Sequence, residues 1–488
     1  MTRAETPRSH SVPLTAPALA SSPRWTEDAV PPALLFIAAA GVALCMPPHN
    51  DTWWHLRAGF EMVKTGGILQ TESFSHTNFG APLYHNHEWL TQLVFYSLYR
   101  LGGPILLTIF GAVCALAAVA GSWKMVRGSA DARFGWLMLL FVGTVTEWAI
   151  RPQVISLPLF VLAIHLAASE KRRDRWLPVL CLVWANLHAV AITGVLIAGC
   201  SAIESLLWPR ERVRRSFLIA AACVVAPLFT PLGLHYWPRV FEVVRLAREL
   251  QIHEYRSALE LAQIPFWALV AVFAAIALRR RHALASSDRQ TRILVLVAAF
   301  FAVAGAMSVR NIPMFVLAVV PAISRLLTTG STESTESAPA RRVKPAPAAA
   351  AIVAAVMLAA TAACVAYAWR ERGTYLGWLP ISESAIESIR QCDGPIYNGF
   401  ADGGILVWFV PEQRAFIDSR GVEAYPLSLL QRSRDADLFG DYQRLFGDFN
   451  IRCAVVTRGS VMARRLTDDR GMREYYSDRQ WVVFTRLH

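Results

Sequence analysis

Asn50-Asp51-Thr52-Trp53-Trp54-His55-Leu56-Arg57-Ala58-Gly59 follows directly on an apolar run, 31–48, long enough to cross a bilayer if tilted or stretched. The stretch puts an acid, two tryptophans, a histidine and an arginine where hydrocarbon gives way to water. On a helix, Asp51 and His55 share a face, four residues apart. Trp53 and Trp54 suit the headgroup belt. Aromatic anchoring with a few solvated charges explains the tryptophans. It leaves unexplained a second polar cluster at the far end of the same loop, His85-Asn86-His87-Glu88-Trp89. The two clusters together point to a site carried by the loop 49–88.

Composition sets the class. Of 488 residues, 54% are hydrophobic and only 17% are charged, too few charges for a soluble chain of this size. Apolar runs recur through 31–369, as in a polytopic membrane protein. The formal net charge of +12 is spread in short basic clusters between those runs. Orientation signals look like that, whereas nucleic acid needs one continuous basic face, so no nucleic-acid partner is expected. Arg3, Arg8 and Arg24 lie in a Ser/Pro/Ala-rich stretch with no clear cleavage site after the apolar run. Residues 1–30 therefore read as a disordered cytoplasmic tail before an uncleaved helix. No C-x-x-C, P-loop, G-x-G-x-x-G or H-E-x-x-H occurs.

The basic clusters give a topology. Lys124/Arg127/Arg133, Lys171/Arg172/Arg173/Arg175, Arg210/Arg212/Arg214/Arg215, Arg279/Arg280/Arg281 and Arg341/Arg342/Lys344 are placed on the cytoplasmic side with the N-terminus. The runs 31–48, 104–126, 134–150, 152–169, 176–188, 189–208, 216–233, 263–278, 291–308, 312–327 and 348–369 then make about eleven crossings. Segment 89–101 is short and broken by Gly102-Gly103-Pro104, so it reads as a re-entrant or interfacial helix. Residues 234–262 form a second external loop, and the core, 31–327, is followed by a flexible cytoplasmic linker, 328–347. In 370–488, short apolar runs at 395–400, 405–409, 414–418, 453–456 and 481–484 look strand-like, with helix around 429–446. The predicted architecture is a membrane all-α polytopic bundle with a small C-terminal extracytoplasmic α/β domain. Parity places that domain in the periplasm or its equivalent, where Cys392 and Cys453 can pair.

This topology brings polar groups to one face. Glu147 and Arg151-Pro152-Gln153, Asn186 and His188, and Arg310-Asn311-Ile312-Pro313 all fall at outer ends of crossings, with Asp51, His55, His85, His87 and Glu88. Ionisable groups at membrane depth are expensive and face a cavity or a partner. Two arginines at one level suit an anionic, phosphate-bearing ligand. Each group also has an ordinary structural explanation. Arg151 and Arg310 can snorkel to headgroups. Pro152 and Pro313 can mark helix starts. Asn186 and His188 can hydrogen-bond between helices, and Glu147 can be paired. Asn398, Asp402, Asp418 and Arg420 read as turn-fixing residues.

An acid opening the external loop after the first helix, many helices and a C-terminal external domain together resemble the GT-C glycosyltransferase superfamily. That group includes protein O-mannosyltransferases, lipid A aminoarabinose transferases and oligosaccharyltransferase catalytic subunits. More closely, Asp51-Thr52-Trp53-Trp54-His55-Leu56-Arg57-Ala58-Gly59, Asn86-His87-Glu88-Trp89-Leu90, Arg151-Pro152-Gln153, Trp184-Ala185-Asn186-Leu187-His188, Arg310-Asn311-Ile312-Pro313 and Phe416-Ile417-Asp418-Ser419-Arg420 are similar to a group of bacterial polytopic proteins. The resemblance covers nearly the whole chain after residue 30.

It implies a bacterial cytoplasmic-membrane enzyme that moves a sugar from a polyprenyl-phosphate-linked donor to an acceptor at the outer face. Asp51 is then general base or metal ligand, and Glu88 or His55 orients it or helps hold Mg or Mn. Arg310, Arg151, His87, Asn186, His188 and Trp54 form the substrate-binding set, with the lipid tail in a groove between helices. The chain lacks both the Asp-Glu pair of the mannosyltransferases and the Trp-Trp-Asp signature of the oligosaccharyltransferases, which leaves metal and acceptor open. The alternative is a non-catalytic flippase or assembly subunit of a surface-polysaccharide system, which needs a polar path through the bundle.

Overall fold

The apolar runs fold as helices, because only an intra-segment hydrogen-bond ladder satisfies a backbone buried in hydrocarbon. The computed structural model describes residues 30–83, 86–208, 212–329 and 347–487. The expected tail, 1–30, and linker, 328–347, fall almost wholly outside the described residues, as does His85. In chain order the helices are α1 (Val30–Leu44), α2 (Asn50–Thr65), α3 (Trp89–Trp123), α4 (Ala130–Thr144), α5 (Pro152–Ala167), α6 (Leu177–Leu187) and α7 (Ile192–Leu207). They continue with α8 (Val213–Val225), α9 (Tyr236–Glu249), α10 (Ile264–Arg279), α11 (Arg281–Ser286), α12 (Arg289–Met307), α13 (Ile312–Thr328) and α14 (Pro347–Arg372).

The chain is a multi-pass membrane protein. Among the described residues, four helical stretches are long and apolar enough to cross a bilayer: Trp89–Trp123, Ala189–Leu207, Arg289–Met307 and Val309–Thr328. The pair Val213–Phe229 and Gly233–Glu249 is bent by 118°, and Pro32–Leu44, Pro152–Ala167 and Ile264–Arg279 are shorter apolar helices. At about 1.5 Å per residue, helices of this shorter kind fall below the roughly 30 Å of a hydrocarbon core. Their length alone therefore does not supply the expected eleven crossings. The break expected in α3 is present: Gly102 and Gly103 leave helical geometry, with Gly103 at φ 60°. The region 234–262, expected as a loop, holds α9, whose Arg239 donates to the Val422 carbonyl at 3.0 Å.

The C-terminal domain contains α15 (Glu383–Arg390), β1 (Ile396–Asn398), α16 (Gly403–Phe409), α17 (Leu427–Phe439), α18 (Gln443–Asp448), β2 (Cys453–Thr457), α19 (Val461–Asp468), β3 (Met472–Ser477) and β4 (Trp481–Arg486). Its sheet has the order β1-β2-β4-β3, with β1 parallel to β2 and the other pairs antiparallel. Cys392 and Cys453 are bonded, with Cα atoms 6.1 Å apart. Two strand expectations fail. Run 405–409 is helix α16, a short apolar run whose period cannot separate the two states. Gly404 lets α16 lie against α2, since a Cβ there would fall 2.6 Å from the Asn50 carbonyl oxygen. Run 414–418 is irregular and pairs with the first loop instead: Ala415 donates to the Phe74 carbonyl and His76 to the Ala415 carbonyl, each at 3.0 Å.

The tryptophans are likewise not headgroup anchors. Trp53 is buried against Trp378 and Phe409, and Trp54 is buried with its indole turned to polar partners. The C-terminal domain covers the ground where lipid was expected.

One buried charge network joins loop and domain. Arg420 donates to Glu72 at 2.5 and 3.0 Å and to Asp418 at 2.8 Å, and Tyr425 donates to Asp418 at 2.9 Å. Glu72 also accepts from the Phe74 and Ser75 amides at 2.7 and 2.8 Å. Asp418 and Arg420 thus do more than shape a turn. Removing the arginine leaves two buried carboxylates without their cation, at a cost of about 3–5 kcal/mol. Arg420→Ala is expected to lower the melting temperature in detergent and to expose the loop 66–83 to protease. Unchanged melting and unchanged cleavage would contradict this.

Candidate functional site

Asp51 sits in the first turn of α2, where the helix N-terminus favours an anion. Its Oδ1 accepts from the Ser419 hydroxyl at 2.5 Å and from the Trp54 indole at 3.4 Å. Its Oδ2 lies 3.0 Å from His49 Nδ1. The start of α2 is tied to the segment carrying Arg151: Thr52 donates to the Ile150 carbonyl, and Pro48 bridges Ile150. On the other side α2 presses on α3, where a Cβ at Gly59 would fall 2.3 Å from the Gln92 carbonyl oxygen. That close approach sets Glu88, at the head of α3, beside His55.

Glu88 is ringed by imidazoles. His55, His87 and His188 each place Nε2 3.6 Å from one of its oxygens, and His87 Nδ1 lies 3.4 Å from Glu423. His188 is held from α5 and α6 through Ser156, which lies 2.7 Å from its Nδ1 and also accepts from Trp184. Arg310 meets His188 Nε2 at 3.0 Å. A guanidinium only donates, so that nitrogen is an acceptor and His188 is neutral, with its proton on Nδ1 toward Ser156. Arg310 also donates to Glu254 at 2.6 Å and to Tyr255 at 2.9 Å. Arg151 donates to Glu147 at 2.9 Å and to Glu254 at 3.1 Å.

These groups line one cavity of about 880 Å³. Its lining combines the polar Asp51, His55, Glu88, Arg151, His188 and Arg310 with the apolar Leu139, Val142, Val243, Phe266, Leu269 and Val316. His87 and Trp54 also line it. Asn186 does not: its side chain accepts from Trp89 at 2.8 Å and ties α3 to α6. The structure therefore gathers every expected site residue except Asn186, whose interhelix bond is the ordinary explanation given above. Sequence reasoning missed His49, Ser419, Glu423 and the substrate-side position of Glu254. Ser419 falls within the run Phe416–Arg420 quoted above, and His253-Glu254 is a polar pair in the second loop; Glu423 carries no signal in the chain.

The charges are differentiated. Burial alone would raise the Asp51 carboxyl, but the His49 ring and the Ser419 hydroxyl outweigh it and hold the group well below the usual carboxylate range. Burial pushes the His55 ring down to about 4, against the pull of Glu88 and Asp51. Burial likewise opposes ionisation of Glu88, but its bond to His87 and the nearby rings lower it. Glu423 goes the other way: burial, helped by Glu88 and opposed by His87, raises it to about 7.

The expectation that Asp51 and Glu88 clamp Mg or Mn finds no matching donor set. Asp51 has both oxygens engaged and Glu88 faces imidazoles, and among the described residues no three His, Cys, Asp or Glu side chains converge as a metal site.

No family model matches the sequence, and no curated protein matches it. Solved structures do. The archaeal oligosaccharyltransferase AglB from Archaeoglobus fulgidus, in complex with an inhibitory peptide and a dolichol-phosphate, gives a TM-score of 0.51 at 11% identity, over 89% of this chain and 70% of its own. ArnT from Cupriavidus metallidurans, bound to undecaprenyl phosphate, gives 0.50 at 15% identity, over 94% and 97%. At such identities the likeness is one of fold alone.

The raised Glu423 carboxyl makes a stability prediction. The folded protein keeps a proton there that the unfolded chain releases, so this group's contribution is full below about 4.5 and is lost as pH rises through about 7. Glu423→Gln should therefore melt progressively higher than wild type as pH rises across that window. Effects of His55 and Asp51 are common to both proteins and cancel. A difference independent of pH would contradict the assignment.

Proposed function

We propose that the protein is a membrane glycosyltransferase that moves a sugar from a polyprenyl-phosphate- or polyprenyl-diphosphate-linked donor to an acceptor, with the C-terminal domain at the outer face of the bacterial cytoplasmic membrane. The observation that carries this reading is one cavity whose lining combines Arg151, Arg310, Asp51 and Glu88 with many apolar side chains. The apolar lining suits the lipid chain, the arginines its phosphate, and the lining residues of the C-terminal domain, Ser419 and Glu423 among them, the acceptor.

Transfer breaks the bond from sugar C1 to the phosphate oxygen, which keeps the electron pair. The acceptor oxygen forms the new bond at C1 and gives up its proton. Arg310 and Arg151 stabilise the charge that grows on the phosphate. Asp51, held ionised by His49 and Ser419, faces the positive charge developing on the sugar and orients the acceptor hydroxyl. Its low basicity makes it a poor proton acceptor near neutral pH, and Glu423 is the better matched. His87 lies between Glu423 and Glu88, with one ring nitrogen 3.4 Å from the first and the other 3.6 Å from the second. The flippase alternative calls for a continuous polar path. Toward the other end of the bundle, the buried Glu204 is instead closed off by Arg289 and Arg292 at 3.3 and 2.8 Å.

The test is Asp51→Asn, assayed in vesicles supplied with polyprenyl-phosphate-linked sugars. Turnover is expected to fall by about 10²–10³-fold, the scale of one lost electrostatic stabiliser, with melting behaviour retained. Full turnover in a folded variant would end the proposal.

A further inference from the structure

The two arginines assigned to the phosphate are already bridged by a carboxylate. Glu254 Oε1 accepts from Arg310 at 2.6 Å and Oε2 from Arg151 at 3.1 Å, so one planar oxyanion spans both guanidiniums at the cavity wall. A carboxylate and a phosphate offer a guanidinium the same pair of acceptor oxygens. The main chain of this segment is pinned: Ser308 donates to the Glu254 carbonyl at 2.8 Å, and Val309 donates to the Arg256 carbonyl at 3.0 Å. The side chain is the part able to move, and it is 27% exposed. The arginines have capacity beyond Glu254, since Arg151 Nε has no hydrogen-bond partner among the described residues.

We propose that Glu254 is a placeholder for the donor phosphate, holding Arg151 and Arg310 aligned and neutralised in the empty protein and yielding both to the phosphate when the lipid binds. This rests on the assignment of the arginines made above. Glu254 is then a specificity-determining residue. Only a ligand with enough negative charge to displace a carboxylate from two guanidiniums enters productively, so a lipid alcohol without phosphate is refused. The same competition keeps the buried Arg310 from standing without a carboxylate between turnovers, which would be costly, while Arg151 retains Glu147.

The experiment measures binding of undecaprenyl phosphate to the purified full-length protein in nanodiscs, with undecaprenol and inorganic phosphate as separate arms. Glu254→Gln keeps the shape and removes the competing charge. It should bind undecaprenyl phosphate roughly tenfold or more tighter than wild type, the scale of a charge-assisted hydrogen bond. Undecaprenol should not gain, and inorganic phosphate should gain only if the headgroup alone suffices to displace the carboxylate. Glu254→Asp, which keeps the charge but shortens the reach, should show a smaller gain and serves if the glutamine variant does not fold. Arg310→Ala should lose binding. Equal or weaker binding by the Glu254 variants, with loss in Arg310→Ala, would overturn the placeholder while leaving the phosphate assignment intact. Unchanged binding in Arg310→Ala would remove the assignment itself.

Discussion

The ion cluster of Glu72, Asp418 and Arg420 is the contact on which the rest of the site depends. It joins residues 348 positions apart and buries them. A fully buried charge is tolerated only with its partners in place, so the segment 415–425 has one seat against the first loop. That seat delivers Ser419 to Asp51 and Glu423 to His87. The catalytic carboxylate proposed here is thus completed by a domain encoded almost four hundred residues later. Without the cluster, Asp51 would lose a donor and gain water, and its low basicity with it.

The remaining geometry follows from close backbone approaches and short ties. Gly59 lets α2 lie on α3, and Thr52 and Pro48 fasten the same helix to Ile150 beside Arg151. Three helical ends, at Arg151, His188 and Arg310, then face the loop. The Arg151 and Arg310 guanidiniums are both paired, and they share Glu254. In a site of low dielectric these interactions are strong when satisfied and costly when broken. Exchange of one anion for another is therefore easier than leaving the arginines empty.

Much of this was legible in the chain. Charges at the ends of apolar runs are expensive, and Asp51, Glu88, Arg151, His188 and Arg310 stood out for that reason. The misses have physical causes. Ser419 lies in the quoted run Phe416–Arg420 and Glu423 in none, but the contacts of both span hundreds of residues with no periodic signal to pair them with Asp51 or His87. The run 405–409 is too short for its period to separate strand from helix. Strand β3 was overlooked because Met472–Ser477 is largely exposed and polar. Trp53 and Trp54 were read as lipid anchors because an aromatic pair beside an apolar run suits the interface, yet a covering domain was equally compatible. The number of crossings was argued from charge alternation, and helices as short as α6 do not supply it by length.

The central claim is that phosphate and lipid chain share one cavity with Asp51. A cryo-EM structure of the protein in nanodiscs with undecaprenyl phosphate tests it most directly. The account predicts phosphate density against the Arg151 and Arg310 guanidiniums, with the chain following Leu139, Val142 and Phe266 out toward the bilayer. Density for the phosphate at another surface, with the arginines and Glu254 undisturbed, would contradict it.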